Sequence, residues 1–86
     1  MLAKVLFKKN KPYVKKDGTA SMAREIHFVR EDQTTQDGAE GHEVDKVFPK
    51  IDIGHVKVGE VYDFIFDMRS GYNGAYAVLV GIKEPS

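Results

Sequence analysis

The chain has 86 residues, with 13 basic and 13 acidic side chains and a formal net charge of zero, so it is expected to form one small domain, residues 1–86, with a thin core. It contains no cysteine, which excludes disulfides and thiolate metal sites. No apolar run approaches the roughly 18 residues that a membrane span needs, and lysines interrupt the first residues too early for a signal peptide. We therefore expect a cytoplasmic protein that does not enter a membrane.

The charges are unevenly distributed along the chain. Residues 1–30 carry eight basic and two acidic side chains, a net charge of +6, whereas residues 31–86 carry five basic and eleven acidic ones, a net charge of −6. Contact electrostatics are local, because salt screens charges beyond about 8–10 Å. The basic part could thus neutralise phosphates in a neutral protein, or its lysines could simply solvate an edge strand and a loop.

The first third of the chain predicts two strands. Residues 2–9 are rich in Val, Leu and Phe and predict a first strand, which Pro12 should stop because proline donates no ladder hydrogen bond. Residues 13–18 read as a lysine-rich loop or a ragged hairpin, with Asp17 and Gly18 as the turn signal. A second strand is expected from about Arg24, although a single helical turn over residues 20–25 is an alternative.

The remainder predicts three more strands. Residues 32–43 contain no large apolar side chain and predict a flexible loop or the exposed tip of a long hairpin. A third strand is expected over residues 44–53, with Pro49 marking an edge, a bend or a bulge. Residues 60–68 alternate cleanly and residues 75–83 predict the last strand, with a tight turn over residues 69–75 between them.

The fold class follows from two features of the sequence: apolar residues recur at every second position, and turn residues separate these stretches at short intervals. We predict an all-β protein, a five-stranded OB-fold-like antiparallel barrel with protruding hairpins, since closing a small sheet hides its edges. Two alternating series each define one strand face. Phe64 and Phe66 of these series are expected in the core, as is Phe7, whereas Tyr62 and Tyr76 are left open between core packing and nucleic-acid contact. The series are Tyr62, Phe64, Phe66 and Met68 in the fourth strand, and Tyr76, Val78, Val80 and Ile82 in the fifth.

Catalytic arrangements are not found in the sequence. No serine lies in a nucleophile-elbow setting, and His27, His42 and His55 lack metal-ligand spacing. The carboxylates Asp63 and Asp67 are expected on a solvated strand face. We therefore predict a protein that is not an enzyme and that has no catalytic residues, metal or cofactor.

Aromatic residues interleaved with cations point instead to single-stranded nucleic acid. Unstacked bases need aromatic faces and their phosphates need cations, a combination worth roughly 1–3 kcal/mol per stacked base. Tyr13 and Tyr72 lie in predicted turns, where burial explains a ring poorly; for Phe28, burial in the core is the preferred interpretation, with stacking as the alternative. The candidate binding residues are Lys8, Lys9, Lys11, Tyr13, Lys15, Lys16, Arg24, Phe28, Arg30, Arg69 and Tyr72.

The C-terminal half resembles a known family. Residues 56–64, followed by the hairpin at residues 70–80 with Gly71, Tyr72 and Gly74, are similar to phage single-stranded DNA-binding proteins, most of all to the gene-five type of filamentous phages. The resemblance implies an OB barrel that works as a homodimer and coats single strands during phage or plasmid replication, in the host cytoplasm. It also implies a DNA-binding wing over about residues 30–44 and a second loop over about residues 69–76 whose aromatic, here Tyr72, reaches DNA.

One departure from the family shifts the expected contacts. The family's wing is basic and carries a tyrosine, whereas residues 30–44 here carry a net negative charge and contain no tyrosine. The cationic contacts are then expected from residues 8–16 and from Arg24 and Arg30.

Two functions follow from the sequence. The first is non-catalytic, largely sequence-independent binding of single-stranded DNA, with RNA left open because 2′-hydroxyl contacts cannot be read from a sequence. The alternative is a small β-barrel module for protein–protein interaction or assembly, which the neutral net charge and the acidic stretch of residues 31–67 favour.

Overall fold

The structure is a computed structural model, and it describes residues 1–31, 38, 41 and 43–85. The described residues form five strands: β1 (Leu2–Val14), β2 (Ala20–Arg30), β3 (Val44–Val47), β4 (Val61–Gly71) and β5 (Gly74–Lys83). All pairings are antiparallel, in the order β3-β2-β1-β4-β5. The fold is an all-β, nearly closed OB-like barrel, which confirms the predicted class. No helix is present among the described residues, and residues 20–25 belong to β2.

Strand β1 holds the two halves of the sheet together. It pairs along its whole length with β2, except at one irregularity, and only over Leu2–Lys4 with β4. Val5 extends the second contact through backbone bonds with Gly59 and Glu60. The barrel therefore consists of two long hairpins, β1–β2 and β4–β5, joined side by side at one end.

The core lies where these two hairpins cross. The apolar sides of the two hairpins face each other, so each hairpin buries the apolar surface of the other. At their contact Phe28 of β2 packs against Phe64 of β4, with ring centroids 4.9 Å apart. The buried core residues are Ala3, Val5, Ile26, Phe28, Ile53, Val56, Tyr62, Phe64, Leu79 and Ile82.

The connection after β3 closes one side of the core. The third strand was predicted over residues 44–53 but ends at Val47, and Pro49 is buried after it. Since Pro49 cannot continue a ladder, the chain leaves the sheet and inserts Ile53 and Val56 into the core, where both are almost fully buried.

The two hairpins extend beyond the core. Residues 11–20 of the β1–β2 hairpin and most of residues 67–78 of the β4–β5 hairpin are exposed. The radius of gyration is consequently 14.8 Å, with extents of 49 × 33 × 26 Å, whereas about 12 Å is typical of a compact chain of this length. The protruding hairpins of the predicted fold are thus present, while the predicted loop at residues 32–43 lies almost entirely outside the described residues.

The prediction that Pro12 stops the first strand is wrong. The amide of Lys15 donates to the carbonyl of Thr19 at 2.9 Å, and hydrogen-bonded and non-bonded pairs alternate along an antiparallel ladder. Counting back from Lys15, Pro12 falls in a non-bonded pair opposite Met22. Its nitrogen therefore points to the open edge of β1, where no ladder donor is needed.

The predicted inner face of the last strand is also partly wrong. The register between β4 and β5 shifts between Ile65 and Phe66, so that Val80 becomes the extra residue of a bulge. The buried residues of β5 are therefore Leu79 and Ile82, and not every second residue from position 76 to position 82 as predicted. Tyr76, the first residue of the predicted series, is 50% exposed.

Candidate nucleic-acid interface

A tight turn closes the β1–β2 hairpin. The amides of Lys15 and Gly18 donate to the carbonyls of Thr19 and Lys15, both at 2.9 Å, and Gly18 adopts a positive φ of 88°. The amide of Thr19 donates to Asp17 Oδ1 at 2.9 Å. This bond, with that from the Thr19 side chain, lowers the pKa of Asp17 below its ordinary value, so the contact is retained at neutral pH and is lost only as the pH falls through that lowered pKa.

A β-bulge at Leu6 determines which side chains of β1 face outward. Val5 pairs with Phe28 but Phe7 pairs with His27, which leaves Leu6 as an extra residue. The alternation is therefore reversed beyond the bulge. Phe7, predicted for the core with Val5, lies outside and is 43% exposed, so that prediction is wrong.

The reversal places aromatic and basic residues on one exposed surface. Residues directly opposite each other in an antiparallel pair share a side of the sheet. Phe7, Lys9, Lys11 and Tyr13 thus share the outer side with His27, Glu25, Ala23 and Ser21 of β2, and His27 pairs in turn with Lys46 of β3. We call this surface the lysine face; it consists of Lys4, Phe7, Lys9, Lys11, Tyr13, His27 and Lys46.

The electrostatics of the lysine face are predominantly positive. Lys4, Lys9, Lys11 and Lys46 are all exposed. Two acids lie on this side in the paired register. The Glu25 carboxylate is hydrogen-bonded to the ring of His27, and Asp63 of β4, opposite Leu2, is paired with the N-terminal ammonium. An alternation of lysines and rings, with a mostly neutral neighbouring strand, offers separate places for phosphates and for bases.

Lys8 lies on the opposite side of β1 from the lysine face. Its ammonium donates to the carbonyls of Val56 at 2.9 Å and Gly54 at 3.4 Å. Lys8 was predicted to bind nucleic acid, but in the structure its hydrogen bonds connect β1 to the segment that precedes β4.

The predicted arginines are engaged in contacts within the chain. Arg24 Nη1 donates to the carbonyl of Lys50 at 3.1 Å. Arg30 Nε lies 3.3 Å from Asp45 Oδ2, and Arg69 Nε lies 3.7 Å from Asp67 Oδ2. Arg30 and Arg69 remain about half exposed, but each has an acidic neighbour that a phosphate would have to displace.

Phe28 and Tyr72 occupy opposite environments. Phe28 is 4% exposed within the core, so no base can stack on it without unfolding. Tyr72 is fully exposed, in the two-residue turn between β4 and β5. Next to it, the Tyr76 ring packs over Gly71 so closely that a Cβ there would lie 2.8 Å from Cε1. Tyr72 therefore projects from a supported hairpin end, but on a different hairpin from the lysine face.

The sequence-predicted residues fall into three groups. Lys9, Lys11 and Tyr13 lie together on the lysine face, and Lys15 and Lys16 follow in its turn. Lys8, Arg24, Phe28, Arg30 and Arg69 have contacts elsewhere, as described above. Tyr72 forms the third group, alone at the tip of the β4–β5 hairpin. Most of the predicted wing at residues 30–44 lies outside the described residues.

Sequence reasoning did not single out four members of the lysine face or their neighbour Phe48. The four are Lys4, Phe7, His27 and Lys46, which were given no binding role. Phe48 is 60% exposed, with Lys46 Nζ 5.8 Å from its ring centroid. The alternation of residues 7, 9, 11 and 13 was the available signal, but it is recognisable only if the strand is known to continue through Pro12.

Comparisons with protein-family models, curated proteins and solved structures gave no match. Among the described residues, no helix is long and apolar enough to cross a membrane. The same residues bring no three His, Asp or Glu side chains together in a group that could hold a metal ion.

Proposed function

We propose that the protein is a non-catalytic binder of single-stranded nucleic acid, and that the strand lies along the lysine face. The observation that carries the proposal is the alternation of Phe7, Lys9, Lys11 and Tyr13 on one exposed side of β1. Each ring offers a base a stacking surface, and each lysine can neutralise a neighbouring phosphate.

The shape of the surface favours a single strand over a duplex. Bases in a duplex are stacked on one another, so exposed rings gain contact with a base only when it is unstacked. The rings of Phe7 and Tyr13 are 43% and 44% exposed, and they stand on a protruding hairpin that a flexible strand can follow. Stacking and phosphate contacts of this kind depend little on base identity.

Tyr72 is proposed as a second contact region. A fully exposed tyrosine at a hairpin tip has no packing role in the described part of the chain. It would meet the same strand further along, or a strand held by another copy. This proposal agrees with the coating of single-stranded DNA in phage or plasmid replication that the sequence resemblance implies.

We further propose that the protein forms a homodimer through the outer edge of β5. The carbonyl of Ile82 lies 3.3 Å from His55 Nε2, but the outer edge of residues 74–80 has no strand beside it among the described residues. This stretch carries no charge, so two copies can pair antiparallel without like-charge repulsion. Tyr76 and Val80 are exposed here, at 50% and 39%.

The same edge supports the alternative function. An uncharged edge with exposed apolar side chains is also what a protein-interaction module would offer to a strand of a partner. In that case the lysine face would meet an acidic protein surface, and nucleic acid would bind weakly and without regard to strandedness.

A comparison of single-stranded and duplex oligonucleotides separates the two functions. We expect the protein to shift a labelled single-stranded oligonucleotide at near-physiological salt and to bind a duplex of the same length much more weakly. Tyr13→Ala and Tyr72→Ala should each weaken binding without loss of β-sheet circular dichroism. Equal affinity for both forms would exclude the proposed function and favour the interaction module.

A further inference from the structure

The ring pair of Phe7 and His27 on the lysine face has a geometry suited to base stacking. The two ring centroids lie 4.6 Å apart with an interplanar angle of 39°. The Phe7 residue is 43% exposed and the His27 side chain is 33% exposed. The pair thus presents a joint aromatic surface to solvent instead of filling the core.

Cations flank this pair on two sides. Lys46 of β3 is directly opposite His27, and Lys9 follows Phe7 two residues along the same side of β1. Both lysines are exposed. Glu25 is directly opposite Lys9 in register, and its hydrogen bond to the His27 ring orients the ring and engages the acid.

From this arrangement we infer that Phe7 and His27, with Lys46 beside them, form a second base-stacking site that a single strand reaches in addition to Tyr13. The inference rests on the proposed function and adds the path of the strand. Phe7 and Tyr13 are six residues apart in one strand, about 20 Å at the usual rise. The nucleic acid therefore runs along β1, from the hairpin turn towards β3.

The path makes affinity depend on oligonucleotide length. A thymidine octanucleotide, about 24 Å long even at the stacked spacing of 3.4 Å, can bridge both sites, whereas a trinucleotide occupies one. Removing the Phe7 ring should therefore affect the octanucleotide far more than the trinucleotide.

The test uses the full chain, with fluorescence anisotropy of labelled thymidine oligonucleotides. Phe7→Leu retains an apolar side chain and removes the stacking ring. We expect it to weaken octanucleotide binding about fivefold or more, the low end of one lost stack, and to change trinucleotide binding less than twofold. Met68→Leu is the control, because Met68 is an exposed apolar residue of β4 that lies outside the lysine face, and it should leave both affinities nearly unchanged.

Three outcomes would overturn the inference. If Phe7→Leu bound the octanucleotide as well as the wild-type protein does, the Phe7–His27 pair would be only a cross-strand contact that stabilises the sheet. Equal losses for both oligonucleotides, or equal losses in the Phe7→Leu and Met68→Leu variants, would remove the second site. If the wild-type protein bound neither oligonucleotide, the proposed function itself would fail, which is a separate result.

A measurement on the wild-type protein covers the case in which Phe7→Leu does not fold. Saturation with the octanucleotide should shift the NMR ring resonances of Phe7 and His27 upfield through the ring currents of a stacked base. It should also give intermolecular contacts between the Phe7 ring and a thymine methyl. Unshifted ring resonances at saturation would contradict the second site.

Discussion

Lys8 and Lys9 are neighbours in the sequence but have different roles in the structure. The ammonium of Lys8 satisfies two carbonyls of the connection before β4, those of Gly54 and Val56. The side chain of Lys9 lies on the opposite side of β1, exposed on the lysine face. Lys8 and Lys9 therefore allow a structural lysine to be compared with a proposed binding lysine in the same strand.

We expect Lys8→Met to affect mainly the stability of the fold and Lys9→Met to affect mainly the binding of nucleic acid. Lys8→Met leaves the part-buried carbonyl of Val56 without its donor and should lower the free energy of unfolding by about 1 kcal/mol. Lys9→Met should change stability by less than about 0.5 kcal/mol and should reduce the slope of log affinity against log salt by about 0.7, one phosphate contact. Urea unfolding and salt titrations of oligonucleotide binding measure the two effects. A stability loss confined to Lys9→Met would contradict both assignments.

At the scale of elements, the two bulges decide what the strands present. In β1 the extra residue Leu6 turns Phe7 outward, and in β5 the extra residue Val80 interrupts the inward alternation. Without the first bulge, Lys8 would lie on the outer side of β1 and Lys9 on the inner side, and the lysine face would not exist. A bulge leaves little trace in a residue pattern, which explains why the core assignment of Phe7 was wrong.

The free edge of β5 gives a prediction about assembly. Ala77→Lys places a charge in the middle of the exposed edge and, in a symmetric pair, brings two like charges together, so it should convert the dimer to a monomer. Ser70→Lys is the control, because Ser70 is an exposed residue of β4 in the same hairpin and away from that edge. Analytical ultracentrifugation distinguishes the two forms. A wild-type protein that stays monomeric at high concentration would rule out the proposed interface.

At the scale of the whole molecule, zero net charge conceals a strongly polarised surface. The lysine face carries Lys4, Lys9, Lys11 and Lys46, and the turn adds Lys15 and Lys16. The proposed binding of nucleic acid would depend on this local field and not on the net charge, since salt screens the distant acids.

We therefore expect affinity to fall steeply with salt. Four to six neutralised phosphates predict a slope of log affinity against log salt between about −3 and −4, at about −0.7 per phosphate for single strands. Affinities for one oligonucleotide measured from low to physiological salt give this slope. A slope near zero would mean that the lysines do not meet phosphates, whatever the rings contribute.

The residue pattern alone established the β class and much of the layout. The alternation of Tyr62, Phe64, Phe66 and Met68 predicted one inward face. The first three are buried or packed against the core, whereas Met68 is 65% exposed because β4 extends beyond the core. Tyr72 was predicted in a turn and is fully exposed there. Tyr13 is also exposed, but the prediction that it lies in a turn is wrong, because it belongs to β1. These properties depend on local periodicity and turn chemistry, which a sequence carries directly.

Tertiary structure decided which side each residue of the basic segment occupies. The direction of Phe7, the tie between Lys8 and the carbonyls of residues 54 and 56, and the proximity of Lys46 to His27 each depend on pairing between strands distant in the chain. Pairing register is set by the packing of the whole core, and a single extra residue reverses every side chain after it. Composition thus determined that the chain would be a β protein with a basic segment, whereas register determined that this segment would form a face.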